Sequence, residues 1–225
     1  MKTFLALTFL LINSVFAAAQ TEQAPILEKE IKYKDWTYKS VRDDKSINLR
    51  EFVKNKKLVM VVYFAPWCPN WKHEAPFAQK MFEKYKNDGF EVIGVGEYDT
   101  VAAMKMNLDQ HKITFPAVYE SDARDAKQKT LHYEYRKSVG DTRGWGSPWN
   151  IFLEPAKLSK KGDVLTEKAF IVNGELIEKE AEAFIRERLG LPAGEAKIEK
   201  TAGKVVEACE PEKKIANFIK PETRR

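Results

Sequence analysis

Residues 58–64 read Leu-Val-Met-Val-Val-Tyr-Phe, an uncharged run rich in β-branched residues. A strand with one wet face would alternate apolar and polar side chains, so this unbroken run predicts a strand covered on both faces. The run breaks at Ala65-Pro66-Trp67-Cys68-Pro69. Phe77, Met81, Phe82 and Tyr85 then recur at helical spacing, which predicts a helix over 70–86 lying against the sheet. Pro76 falls inside that helix, where its missing N–H and its ring predict a kink. The junction places Cys68 at a helix N-terminus. There, unpaired backbone N–H groups and the helix dipole favour a thiolate over a thiol.

The flanking segments complete an α/β chain. Gln20 to Lys34 is polar with mixed charge and reads as a linker or N-terminal arm. Trp36 to Val41 alternates large and polar residues, as a short edge strand does. Ser46 is placed to cap a short helix bearing Leu49, Phe52 and Val53. Asn87-Asp88-Gly89 ends the long helix, and Phe90 to Val95 is a second central strand. Thr100 caps a helix carrying Val101, Met104, Leu108 and His111, and Ile113 to Tyr119 is a loop entering a short strand. Lys127 to Val139 is helix-prone, Gly140 to Gly146 is a glycine-broken loop, and Trp149 to Glu154 is a third core strand. Ala169 to Val172 is a strand ended by an Asn173-Gly174 turn, and Glu178 to Leu189 is an amphipathic helix stopped by Gly190 and Pro192. This order predicts a central mixed sheet covered on both faces, a three-layer sandwich over residues 36–191 preceded by an arm at 20–35.

The two ends read differently. Lys2, the apolar stretch Phe4 to Phe16 and the small residues Ala17-Ala18-Ala19 form a secretory signal peptide over 1–19, too short in its apolar part to span a bilayer. Export to the periplasm or the extracellular space follows, with no stable membrane insertion once the leader is removed. Residues 192–225 are a Lys/Glu-rich charged tail. The formal charge of +5 is the small excess of 38 basic over 33 acidic residues, with no basic block interleaved with aromatics, which argues against nucleic acid as a partner. The chain has two cysteines, Cys68 and Cys209, too far apart in sequence to be paired from spacing alone.

Four features carry a family resemblance: Trp67-Cys68-Pro69 after a buried strand, Lys72, Glu74 and Pro76 at fixed offsets beyond it, Phe115-Pro116, and Gly146-Ser147-Pro148 leading into a strand. Together they resemble the thioredoxin superfamily, in its TlpA-like (redoxin) branch of extracytoplasmic thiol–disulfide oxidoreductases. The resemblance implies a thioredoxin-like sandwich, no cofactor, and protein or small-molecule thiols and disulfides as partners. It also implies a cis peptide at Ser147-Pro148, whose neighbouring backbone would pair with a substrate peptide as an added strand. The family carries a second cysteine three residues after the first, and here that residue is Trp71.

The resemblance therefore makes Cys68 the catalytic nucleophile, with Trp67, Pro69, Trp71, Ser147 and Pro148 binding substrate. A buried, inert thiol is the plain alternative for Cys68. Trp71 cannot resolve a mixed disulfide. Resolution would come from an external thiol or from Cys209; otherwise the redox chemistry is lost and a binding module with a Trp67–Trp71 aromatic surface remains. Cys209 is flanked by Glu207 and Glu210 (two residues before it and directly after), which disfavour its thiolate, so it reads as an incidental or structural thiol as readily as a resolving one. A peroxiredoxin would need a threonine at the position of Ala65. His111 and His132 have no metal-ligand spacing with Cys68 or with each other, and no metal is expected.

Overall fold

The computed structural model describes residues 22–193. The leader and almost all of the tail, including Cys209, lie outside the described residues. In chain order the elements are β1 (Gln23–Ala24), β2 (Leu27–Lys34), β3 (Thr37–Ser40), β4 (Ser46–Asn48), α1 (Leu49–Phe52), β5 (Leu58–Phe64) and α2 (Pro69–Tyr85). They continue with β6 (Phe90–Gly96), α3 (Val101–Gln110), β7 (Ala117–Tyr119), α4 (Leu131–Ser138), β8 (Trp149–Leu153), β9 (Val164–Val172), β10 (Glu175–Leu176) and α5 (Glu178–Leu189).

Eight strands form one sheet in the order β2-β9-β8-β5-β6-β7-β3-β4, and β1 pairs with β10 in a separate two-stranded ribbon. β5 lies inside the sheet, parallel to β6 and antiparallel to β8, so the sheet is mixed. All seven β5 residues are buried because both faces of the strand are covered. Leu58, Met60, Val62 and Phe64 pack with side chains of α2, α3 and α5, whereas Val59, Val61 and Tyr63 pack with residues of α1 and α4. Each such aliphatic side chain contributes roughly 1.5–3 kcal/mol of burial. The expected three layers are present.

The N-terminal segment departs from the sequence reading. Residues 27–34 are not a linker but an outer strand of the sheet, antiparallel to β9. Ile31 and Tyr33 point inward from it while Lys32 and Lys34 stay exposed. With every second residue charged, a strand with one wet face resembles a polar linker. β3 is not the edge strand either, since β4 pairs outside it. Ser46 lies in β4, and the cap of α1 is Asn48, whose side chain accepts from Glu51 N at 3.0 Å. The expected helix over 127–139 is divided at Thr130, which ends a 3-10 turn and caps α4 by accepting from Tyr133 N. Thr100 caps α3 as expected, and α5 spans the expected residues.

Candidate active site

The site begins where β5 runs out. Cys68 N donates to Ala65 O at 3.0 Å, closing a tight turn. Cys68 is the N-cap of α2 with extended backbone (φ −73°, ψ 124°), and its carbonyl accepts the first helical bond from Lys72 N at 3.1 Å. Pro69 follows at the first helical position, where a missing N–H leaves no bond unmade and the fixed φ suits the helix. The Cys68 side chain makes no capping bond. It is fully buried and disulfide-bonded. Its Sγ lies 3.0 Å from Ser147 O. A thiol at that distance would donate to the carbonyl; a disulfide sulfur has no proton to give.

Sheet register brings Ser147 there. β8 runs antiparallel to β5 with Tyr63 opposite Trp149, so the two residues before Trp149 fall beside Phe64 and Ala65. Ser147 Oγ accepts from Ala65 N at 2.8 Å, and the Ser147-Pro148 peptide is cis, as expected. Both residues are buried. The loop ahead of them is held by Arg136 on α4, which donates to Asp141 Oδ2 at 2.9 Å, to Trp145 O at 3.0 Å and to Arg143 O. Arg143 in turn donates to Asp141 and to Pro148 O at 3.0 Å. Burial alone would raise the Asp141 carboxyl, but the bonds and charges of Arg143 and Arg136 outweigh it and hold it at about 2. Gly146 has φ +61°, and a Cβ there would fall 1.8 Å from Arg136 Nε. Only glycine satisfies both the backbone and the guanidinium.

Trp71 does not line a groove. It is fully buried, stacked on Phe64 at 4.8 Å, and donates its indole N–H to Asn107 Oδ1 at 2.8 Å. The helix turn that presents Cys68 and Pro69 at the site points position 71 into the interface with α3. The aromatic wall is made instead by Trp67 and Trp145, both partly exposed, with centroids 5.2 Å apart and edge to face. Arg124 lies 5.3 Å from the Trp67 ring and Lys127 Nζ lies 4.4 Å from that of Trp145.

One helical turn and a half beyond Cys68, Glu74 is buried, and burial pushes its carboxyl up to about 8. Its Oε2 accepts from Leu176 N at 2.7 Å and from Asn150 Nδ2 at 3.3 Å. Burial and the nearby Arg136 charge hold His132 well below its ordinary value, and its Nδ1 shares a hydrogen bond with Tyr98 OH at 2.9 Å. His73 Nδ1 lies 2.6 Å from Glu175 Oε2 at the other end of the ribbon. Among the described residues no cluster of three or more metal-ligating side chains occurs, and no helix is long and apolar enough to cross a membrane. Sequence reasoning missed Trp145, Asn107, Arg136 and Asp141 as parts of the site. The glycine at 146, directly before Ser147-Pro148, was the one signal for a crowded loop; nothing distinguishes Arg136 in sequence from a surface arginine.

Residues 29–140 match the model of the AhpC/TSA family. Among curated proteins, the chain is 30% identical over 66 residues to thiol-disulfide oxidoreductase ResA of Oceanobacillus iheyensis, covering 29% of this chain and 34% of the relative. It is 27% identical over 78 residues to ResA of Bacillus anthracis, covering 35% and 44%. The chain thus spans between a third and a half of the length of the curated relatives it matches. Among solved structures, a secreted thiol-disulfide isomerase from Corynebacterium glutamicum superposes with a TM-score of 0.53 at 17% identity, covering 72% of this chain and 92% of that one. A thiol:disulfide interchange protein from Chlorobium tepidum gives 0.51 at 18%, covering 72% and 98%. At these identities the structural likeness establishes the thioredoxin-like fold.

Proposed function

From a chain similar to the AhpC/TSA redoxins over residues 29–140 and, over 66 residues, to a ResA thiol-disulfide oxidoreductase, we propose an extracytoplasmic protein that exchanges disulfides through Cys68. One observation carries the reading: Cys68 stands at a helix N-terminus against a cis-proline loop and is already engaged in a disulfide. Cys68 is the nucleophile, and the cis-proline loop at Ser147-Pro148 positions the substrate peptide beside it. Trp67 and Pro69 are the half-exposed rim that the substrate meets. In the exchange, the Cys68 thiolate attacks one sulfur of a substrate disulfide, a mixed disulfide forms, and the other substrate thiolate leaves. The leader read over residues 1–19 supports an extracytoplasmic setting, where such bonds persist.

A peroxidase reading is weaker, because Ala65 has no hydroxyl and its N–H is taken by Ser147 Oγ. The binding-module reading required Trp71 at the surface, and Trp71 is interior. The test compares mature protein with Cys68→Ser in exchange with a peptide disulfide in glutathione buffer. Loss of exchange in the variant is expected. Exchange persisting without Cys68 would overturn the proposal.

A further inference from the structure

Cys68 is disulfide-bonded, and the sequence has one other cysteine. We propose that the acidic segment Glu207–Glu212 of the tail is a tethered substrate of this site, held there as a Cys68–Cys209 disulfide in the oxidised protein, and that the basic rim of Arg124 and Lys127 selects cysteine peptides flanked by glutamates. The proposal rests on the thiol–disulfide reading above and names the resolving thiol and the substrate class for it.

Three observations support this occupant. The first is the bond itself, since within one chain Cys209 is the only available partner. The second is reach. Residues 194–208 separate the described domain from Cys209, and that length of chain spans about 50 Å when extended. A domain of this size has a radius of gyration of about 15 Å, so a chain of that length can cover most of the way around it. The third is chemistry. Cys209 stands among Glu207, Glu210 and Glu212, and the rim beside Cys68 carries Arg124 over Trp67 and Lys127 over Trp145. Asp99, 3.8 Å from Arg124, is the carboxylate already paired there; Lys127 donates to Gly144 O and pairs with no carboxylate among the described residues. The cis-proline loop supplies the edge along which an extended peptide can lie.

The chemistry balances without an added oxidant. In a mixed disulfide between Cys68 and a substrate, the Cys209 thiolate attacks the Cys68 sulfur, the Cys68–Cys209 bond forms, and the substrate thiolate leaves and takes a proton from water. In reverse, a substrate thiolate opens the internal bond and expels Cys209. A second substrate thiolate then displaces Cys68, so the substrate gains a disulfide while the protein takes up two electrons as two thiols.

The test uses the mature full chain, residues 20–225, equilibrated in glutathione buffers, quenched by alkylation and digested. A Cys68–Cys209 peptide is expected. The glutathione ratio at half-reduction should shift about tenfold toward the reduced form on double charge reversal, Glu207→Lys with Glu210→Lys. Arg124→Glu with Lys127→Glu in the same chain should restore it. Two alkylated thiols under oxidising buffer would overturn the tether. An unshifted ratio in the charge-reversed tail would overturn the selectivity. In Cys209→Ser, glutathionylation of Cys68 separates the two levels: if Cys68 takes glutathione there but never pairs in the parent chain, the exchange reading stands and the tether falls. If Cys68 takes no glutathione, both fall.

Discussion

Trp71 and Asn107 lock the first turn of the active-site helix to its neighbour. The indole N–H of Trp71 donates to Asn107 Oδ1 at 2.8 Å, and Asn107 Nδ2 donates to Pro66 O at 3.0 Å. The indole can only donate and the proline carbonyl can only accept, so the amide has one satisfactory orientation. The residue at the position of the family's second cysteine therefore ties α3 to the loop that carries Trp67 and Cys68.

Restoring a cysteine at that position should damage the fold before it helps the chemistry. Trp71→Cys removes a large buried side chain and leaves Asn107 Oδ1 without its donor. The expected loss is about 3–5 kcal/mol of unfolding free energy, read by urea denaturation. Trp71→Phe keeps most of the volume and should lose about 1–3 kcal/mol, the penalty of the unpaired amide. Equal losses in the two variants would mean that the buried volume of the indole contributes nothing beyond its hydrogen bond.

The cis-proline loop hangs on a buried ion network, which makes a second prediction. Arg136→Met leaves the Asp141 carboxylate with one arginine and frees two loop carbonyls from their donor. Breaking a buried pair from one side should lower stability by about 3–5 kcal/mol. Gly146→Ala should also destabilise, because the new Cβ meets the guanidinium at a positive φ. Thermal unfolding of both variants checks this, and an unshifted midpoint in Gly146→Ala would contradict the described packing.

Ser147→Ala isolates a smaller term. The hydroxyl oxygen is the acceptor for Ala65 N, and losing it leaves a buried N–H unpaired. The expected loss is about 1–3 kcal/mol, with Ser147→Thr close to the parent. Denaturant midpoints of the two variants decide the point.

Stability should fall as pH rises through neutrality. Glu74 titrates at about 8 in the folded chain, against an ordinary value of 4.5, because burial disfavours its charged form. Between those values the folded state holds a proton that the unfolded state has released. This contribution is therefore fully present below about 4.5 and is lost as pH rises toward 8, at up to about 1.4 kcal/mol per pH unit. Glu97, raised by burial and then by the charge of Glu120, acts in the same direction. Unfolding free energies at pH 5 and pH 8 should differ less in Glu74→Gln than in the parent. An identical slope in the two proteins would place the Glu74 carboxyl in its ordinary range.

Much of this molecule was legible from local pattern. The run Leu58–Phe64 cannot be wetted on either face, so it had to lie inside a sheet; Thr100 and Gly190 mark helix ends through bonds to their own neighbours. Cys68 at the helix start and the cis peptide at Ser147-Pro148 followed from residue order and a family resemblance. What hid were pairings across distance. Whether Leu27–Lys34 is arm or strand depends on β9 more than a hundred residues later, because an outer strand gains its hydrogen bonds only from its partner. Trp71 reads alike as groove or core until α3 brings Asn107 to its indole. Trp145 and Arg136 join the site only because β8 meets β5 in the register that sets Ser147 beside Ala65. Local chemistry is written in neighbouring residues. Burial and charge pairing are properties of surfaces that the chain makes only by folding, and those decided which tryptophans line the site and which one anchors its helix to α3.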